Sequence, residues 1–284
     1  MTRITAQDGE GVVVHSSGSG PGVVVVHGGG VTVDVYARLA RRLAEHLTVH
    51  LYNRRGRGDA PPRTEPYRIE EDVDDLAAVL EHTGARQVIG HSSGGFIALE
   101  AARRLPLERL VLYDAAVSID GGFPADWLPA ARAAVRDGDL ALSLALTTGG
   151  INTHTAASRL PLGLRVALCR AFLRSSVGRT MGALLATTLD ESDQIHRHDG
   201  PATAWSSIGA DVLLAYGVAG PPYYATLNAQ LAGALARARV LPVRRCGHDG
   251  LNRAPDRLVE PLVAFLTAPP GRQQPERSGP RRAP

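Results

Sequence analysis

Two serines stand side by side between glycines in Gly90-His91-Ser92-Ser93-Gly94. The apolar run before them, "RQVIGH" (86–91), reads as a strand, and "GGFIALEAARRL" (94–105) reads as a helix. A serine at such a junction is held out on a sharp turn, where its hydroxyl can attack a carbonyl carbon. The G-x-S-x-G frame selects Ser92 for that role. The flanking glycines let strand and helix approach closely and tolerate the strain of the turn. Ser93 would contribute only its backbone N–H, aimed at the charge that develops on the attacked oxygen. A serine hydroxyl is a weak nucleophile at neutral pH, so a histidine and an acid must arrive from elsewhere in the chain.

The elements that must position these groups alternate between strand and helix. "GVVVH" (11–15) and "GVVVVH" (22–27) are β-branched runs joined by the turn "SSGSGP". "DVYARLARRLAEHL" (34–47) carries apolar residues at helical spacing, and "TVHLYN" (48–53) returns as a strand. "RIEEDVDDLAAVLEHTG" (68–84) opens on acids and closes on glycine, as a helix does. After the serine turn come "ERLVLYD" (108–114), "ADVLLAYG" (210–217) and "RVLPV" (239–243) as strands. "YYATLNAQLAGALARA" (223–238) and "DRLVEPLVAFLT" (256–267) read as helices, the second bent or started by its internal proline. Such alternation predicts a parallel sheet covered on both faces. Residues 117–208 break the rhythm with Ala/Leu/Arg-rich helical segments, and 268–284 form a Pro/Arg-rich tail with almost nothing to bury.

Composition narrows the function classes. The 284 residues carry 44% hydrophobic and 21% charged side chains, ordinary usage for one globular domain with an insertion. The formal charge of +3 comes from arginines spread along a chain without lysine, so no phosphate-binding face and no nucleic-acid partner is expected. Cys169 and Cys246 are far apart and lack metal-type spacing, which favours a reduced, cytoplasmic setting. No signal-like segment opens the chain and no apolar run reaches membrane-spanning length, so no membrane partner is expected. "GSGPG" (18–22) precedes a strand instead of following one and is no dinucleotide loop.

With the serine turn placed, residues 11–267 resemble the α/β-hydrolase fold superfamily. "VVVVHGGG" (23–30) is similar to the family's His-Gly oxyanion loop, and "LYNRRGRGDAPP" (51–62) to the Arg-Gly-rich loop of small bacterial members. The resemblance implies an α/β-hydrolase fold: a mostly parallel central sheet flanked by helices, with a core of 1–116 and 209–267. It makes 117–208 an inserted helical lid and leaves 268–284 a disordered tail. It assigns Ser92 as nucleophile, Gly29 and Ser93 as oxyanion-hole donors, and His248 in "RRCGHDGLN" (244–252) as general base.

The acid departs from the family's pattern. The family keeps an Asp or Glu after the strand read here as "VLLAYG", and this chain continues into "VAGPPYY" (218–224). Asp114, closing the preceding strand, is the leading candidate for a triad of Ser92, His248 and Asp114. Asp190, Glu191 and Asp193 in the inserted region are weaker ones. Asp211 lies at the wrong end of its strand, and Asp249 adjoins the histidine and would point elsewhere.

The resemblance implies a serine hydrolase of an ester, thioester, lactone or related acyl compound, with no metal or organic cofactor. Its substrate-binding set is Gly28, His91, Phe123 and Trp127. His91 also reads as orienting the turn, His27 as holding the glycine loop, and Arg54 and Arg55 as loop anchors. The apolar inserted region points to a largely apolar small molecule, and a homodimer remains open. The missing acid keeps non-hydrolytic chemistry on the same fold (cyclase, lyase or acyl transferase) with His248 as base as an alternative; a non-catalytic small-molecule binder is the other, set against an intact serine, histidine and glycine loop.

Overall fold

The computed structural model describes residues 1–152 and 157–269. The part of the expected tail from residue 270 onward lies outside the described residues. Eight strands form one sheet: β1 (Thr2–Thr5), β2 (Gly11–Gly18), β3 (Gly22–Val26), β4 (Thr48–Tyr52), β5 (Gln87–His91), β6 (Arg109–Tyr113), β7 (Asp211–Gly217) and β8 (Ala238–Val243). Their order is β1-β2-β4-β3-β5-β6-β7-β8. β1–β2 and β2–β4 pair antiparallel, and every later neighbour pairs parallel.

Strand periodicity explains the two layers. In β3, Val24 and Val26 project into one apolar cluster and Val23 and Val25 into the other, and all four are fully buried. α1 (Ala37–Leu43) covers one face; α2 (Ile69–Thr83) and α3 (Ser93–Ala102) cover the other. Between β6 and β7 lie α4 (Leu128–Arg136), α5 (Leu140–Ile151), α6 (Leu162–Phe172), α7 (Ser176–Ala183) and α8 (Leu185–Arg197). α9 (Tyr223–Ala234) joins the α2/α3 side; α10 (Gly250–Arg253) and α11 (Asp256–Leu266) lie on the α1 side. An isolated bridge between Ile119 and Gly200 ties together the two ends of the segment between β6 and β7.

Several local expectations shift. β1 has no counterpart in the sequence reading, because four mostly exposed residues carry no burial pattern. The helix expected over 34–47 splits into a 3₁₀ turn (Val33–Tyr36) and α1. α11 starts five residues before Pro261, so the proline does not mark its start. β2 runs through Ser16 and Ser17 to Gly18, and pairs with β4 there, so the turn is shorter than "SSGSGP".

The register sets the stage for chemistry. Gly90 pairs with Leu112 and His91 with Tyr113, so Ser92 and Asp114 leave adjacent strands at the same level. Tyr113 pairs with Ala215, and Gly217 pairs with Val243 at the same carboxyl edge.

Candidate active site

Ser92 caps α3 at φ 55° and ψ −125°, a conformation that L-residues rarely adopt. It persists because the surroundings over-determine it. Ser92 N–H donates to the Tyr113 carbonyl at 3.2 Å, and the Ser92 carbonyl accepts from Gly95 and Ala116 at 2.9 Å each. Such a backbone costs on the order of 1–3 kcal/mol. The glycines of the frame are required by contact. A Cβ on Gly90 would lie 2.7 Å from the Gly94 carbonyl oxygen, and one on Gly94 would collide with the Val26 and His27 carbonyls.

His248 stands beside this turn. His91, the residue before Ser92, donates from Nε2 to the His248 carbonyl at 2.9 Å, and the two rings are 4.7 Å apart. His248 Nδ1 faces Asp114 Oδ2 at 3.2 Å and the Tyr224 hydroxyl at 3.3 Å, with the Tyr224 ring stacked on the imidazole. Asp114 is completely buried, and its Oδ1 accepts the Gly217 N–H at 3.0 Å. β7, whose end carries no acid, thus holds by its backbone a carboxylate supplied from β6. Asp114 has positive φ as well (42°), so both residues that step off the sheet edge turn sharply.

Two buried histidines frame the glycine loop. His27 donates from Nδ1 to the Gly28 carbonyl at 2.8 Å and accepts the Arg54 N–H on Nε2 at 3.1 Å. His91 accepts the Tyr36 hydroxyl proton on Nδ1 at 2.6 Å, and Tyr36 in turn accepts the Gly28 N–H at 3.0 Å. Burial, then the charges of Arg57 and Arg54, push His27 well below the usual imidazole range; burial, then His248, do the same to His91. Both rings are therefore held neutral, each in one tautomer.

This changes what several expected contact residues can offer. His91 has both nitrogens occupied and is buried, so it orients the turn and has no free nitrogen for a substrate. Gly28 gives its N–H to Tyr36 and its carbonyl to His27 and Arg57, and presents only its closeness to Ser92; a Cβ there would lie 3.1 Å from Ser92 Cβ. Phe123 is 4% and Trp127 9% exposed, both packed among apolar neighbours, so little of either faces a ligand.

The residues that sequence reasoning undervalued are charged. Arg54 and Arg57 are buried and converge on Glu191 of α8: Arg54 Nη2 lies 2.9 Å from Oε1, and Arg57 Nη2 bonds the same oxygen. Arg54 is also forked onto Asp72 at 3.1 and 2.9 Å. Ser93 Oγ donates to Glu191 Oε2 at 2.6 Å. Burial pushes the Glu191 carboxyl up, but Arg54, Arg57 and the Ser93 hydroxyl outweigh it and hold the group well below the usual carboxylate range. Arg55 anchors a separate cluster through Asp75 at 2.9 and 2.7 Å.

Residues 23–260 match the family described as "Alpha/beta hydrolase family". A 96-residue stretch is 36% identical to a pimeloyl-[acyl-carrier protein] methyl ester esterase of Stenotrophomonas maltophilia, covering 34% of this chain and 36% of that protein. Another of 93 residues is 39% identical to an uncharacterized hydrolase of Bacillus subtilis, covering 31% and 34%. The match thus spans about a third of the length of these relatives. Among solved structures, an alpha/beta hydrolase from Sphaerobacter thermophilus superposes with TM-score 0.77 at 29% identity over 94% of this chain and all of that one. An enol-lactonase from Burkholderia xenovorans shares the fold with TM-score 0.66 at 22% identity, covering 94% and 100%. No helix among the described residues is long and apolar enough to cross a membrane.

Proposed function

Because the chain belongs to the alpha/beta hydrolase family, we propose that it hydrolyses an ester, thioester, lactone or related acyl compound through Ser92, His248 and Asp114. One observation carries the reading: a strained strand-to-helix turn that presents Ser92 is bonded through His91 to the backbone of a histidine whose ring is hydrogen-bonded to a buried carboxylate.

In this reading His248 Nε2 takes the Ser92 proton as Oγ attacks the carbonyl carbon. The Gly29 and Ser93 N–H groups hold the oxyanion, and the protonated imidazole gives its proton to the leaving oxygen or sulfur. Water, deprotonated by the same imidazole, then releases the acyl group from Ser92. Asp114 keeps the Nδ1–H tautomer and stabilises the imidazolium. α4–α8 act as a lid, with α8 docked against the serine turn through Glu191. The 36%-identical relative's methyl ester supports the acyl–oxygen bond as the one cleaved. Non-hydrolytic chemistry drew its force from the missing acid after β7; a carboxylate on His248 Nδ1 favours hydrolysis instead.

Intact-mass analysis after fluorophosphonate treatment tests the reading. One adduct on the wild type, absent in Ser92→Ala, is the expected result. No adduct on the wild type would replace the hydrolase with a binder.

A further inference from the structure

Of the helices between β6 and β7, α8 reaches the serine turn through the side chain of Glu191. Glu191 is 3% exposed, and its two oxygens bind three residues of two separate segments, Ser93 of the serine turn and Arg54 and Arg57 of the loop after β4. Oε2 accepts the Ser93 hydroxyl at 2.6 Å, and Oε1 meets Arg54 at 2.9 Å and Arg57. Arg54 and Arg57 continue to the glycine loop, donating to the His27 carbonyl at 3.2 Å and the Gly28 carbonyl at 3.4 Å. A Cβ on Gly29 would lie 2.9 Å from Glu191 Oε2. One carboxylate therefore touches, directly or through a guanidinium, both segments assigned to the oxyanion hole.

On the hydrolase reading above, we propose that Glu191 is a positioning residue that makes the oxyanion hole depend on the docking of α8. The Ser93 hydroxyl is fixed from two sides: it donates to Glu191, and Arg54 Nη1 donates to it at 3.3 Å. With its side chain clamped, the backbone N–H of the same residue has one orientation. If α8 moves away, Ser93 loses its acceptor and two buried guanidiniums lose a shared counter-ion, so the undocked state has both a looser oxyanion hole and an unfavourable charge balance. Substrate entry beneath the inserted helices and completion of the catalytic geometry are coupled through this one group.

Electrostatics and geometry predict opposite signs for its removal, which makes the proposal decidable. A carboxylate this close to a developing oxyanion opposes it, so deleting the charge alone would speed the reaction. Losing the clamp slows it, because misplacement of a donor by an ångström can cost about 10²-fold.

The test measures kcat and KM for a p-nitrophenyl ester with the full chain, its Glu191→Gln and Ser93→Ala variants, and the double variant. Inhibition by a trifluoromethyl ketone, whose adduct carries the oxyanion, and melting curves accompany them. Each single change should lower kcat by about 10- to 100-fold with KM nearly unchanged, and weaken the ketone by the same factor. The double variant should be no worse than the worse single one. A kcat that rises or stays within about threefold in Glu191→Gln, or single effects that multiply, would overturn the proposal. Should Glu191→Gln fail to fold, Ser93→Ala decides: it leaves both arginine pairs intact, and an unchanged kcat there overturns the clamp. A wild type that neither takes the fluorophosphonate nor turns over the ester overturns the hydrolase reading and this inference with it.

Discussion

Asp114 meets His248 across the end of β7: its Oδ2 lies 3.2 Å from Nδ1 of the imidazole while its Oδ1 accepts the Gly217 N–H at 3.0 Å. Asp114→Asn should keep the fold, since an amide of the same shape can still accept from Gly217. It should also offer the imidazole a donor where it needs an acceptor, holding the wrong tautomer. In other triads that exchange costs about 10⁴ in turnover. Asp193→Asn, which removes a carboxylate paired with Arg197 on α8, serves as the control. Ester turnover and melting curves for both check it. A normal melt with a loss under about tenfold, or about 1.4 kcal/mol of barrier, would move the acid elsewhere.

Gly217 is held by crowding. A Cβ there would sit 2.6 Å from the Cys246 carbonyl oxygen and 2.7 Å from that of Gly247, the two residues before His248. Gly217→Ala should push β7 and the histidine loop apart, lowering stability by about 1–3 kcal/mol. Because the same glycine anchors Asp114, turnover should fall with it while Ser92 still labels. Urea unfolding and ester kinetics measure the two effects; a neutral result in both would mean the loop relaxes freely.

The serine turn and the parallel sheet were legible because each rests on a local pattern. Val23–Val26 is a β-branched run long enough to be buried on both faces, and Gly90 and Gly94 bracket Ser92 at fixed spacing. Asp114 was legible by its position at a strand end, because parallel register carries adjacent strand ends to one edge. Glu191 was not. Its partners Arg54, Arg57 and Ser93 lie 137, 134 and 98 residues away, so the sequence offers it only as a weaker candidate for the triad acid, and its pairing with these residues shows only in the docked helix. Phe123 and Trp127 misled in the opposite sense: large apolar side chains in an insertion serve packing as readily as ligands, and only burial separates the two.

Arg54 is 1% exposed and compensates both Asp72 and Glu191. Arg54→Ala would leave two buried carboxylates short of a counter-ion, a loss of about 3–5 kcal/mol for one broken buried pair. High salt should not reproduce the effect in the wild type, since such groups are screened far less than surface pairs. Denaturant midpoints in low and high salt provide the comparison. A loss under about 1 kcal/mol would make the pair worth no more than an exposed one.

The neutral histidines give the last prediction. In His27, Nδ1 donates to Gly28 and Nε2 accepts from Arg54; in His91, Nε2 donates to His248 and Nδ1 accepts from Tyr36. A second proton on either ring would set two donors face to face, at Nε2 of His27 against the Arg54 N–H and at Nδ1 of His91 against the Tyr36 hydroxyl. The hydroxyl could escape only by breaking its bond and turning away. Burial lowers both groups in the folded state relative to the unfolded chain, which takes up a proton near pH 6.5. Their contribution to stability is therefore fully present above about pH 6.5 and is lost as pH falls towards the folded-state values, at about 1.4 kcal/mol per pH unit for each ring. ¹⁵N NMR of the imidazoles between pH 8 and 5 reads this site by site. His27 should remain the Nδ1–H tautomer and His91 the Nε2–H tautomer throughout, with no midpoint near 6.5. If His91 titrates there, the chain from Gly28 through Tyr36 to the His248 carbonyl is not closed, and the loop that faces Ser92 is held by something else.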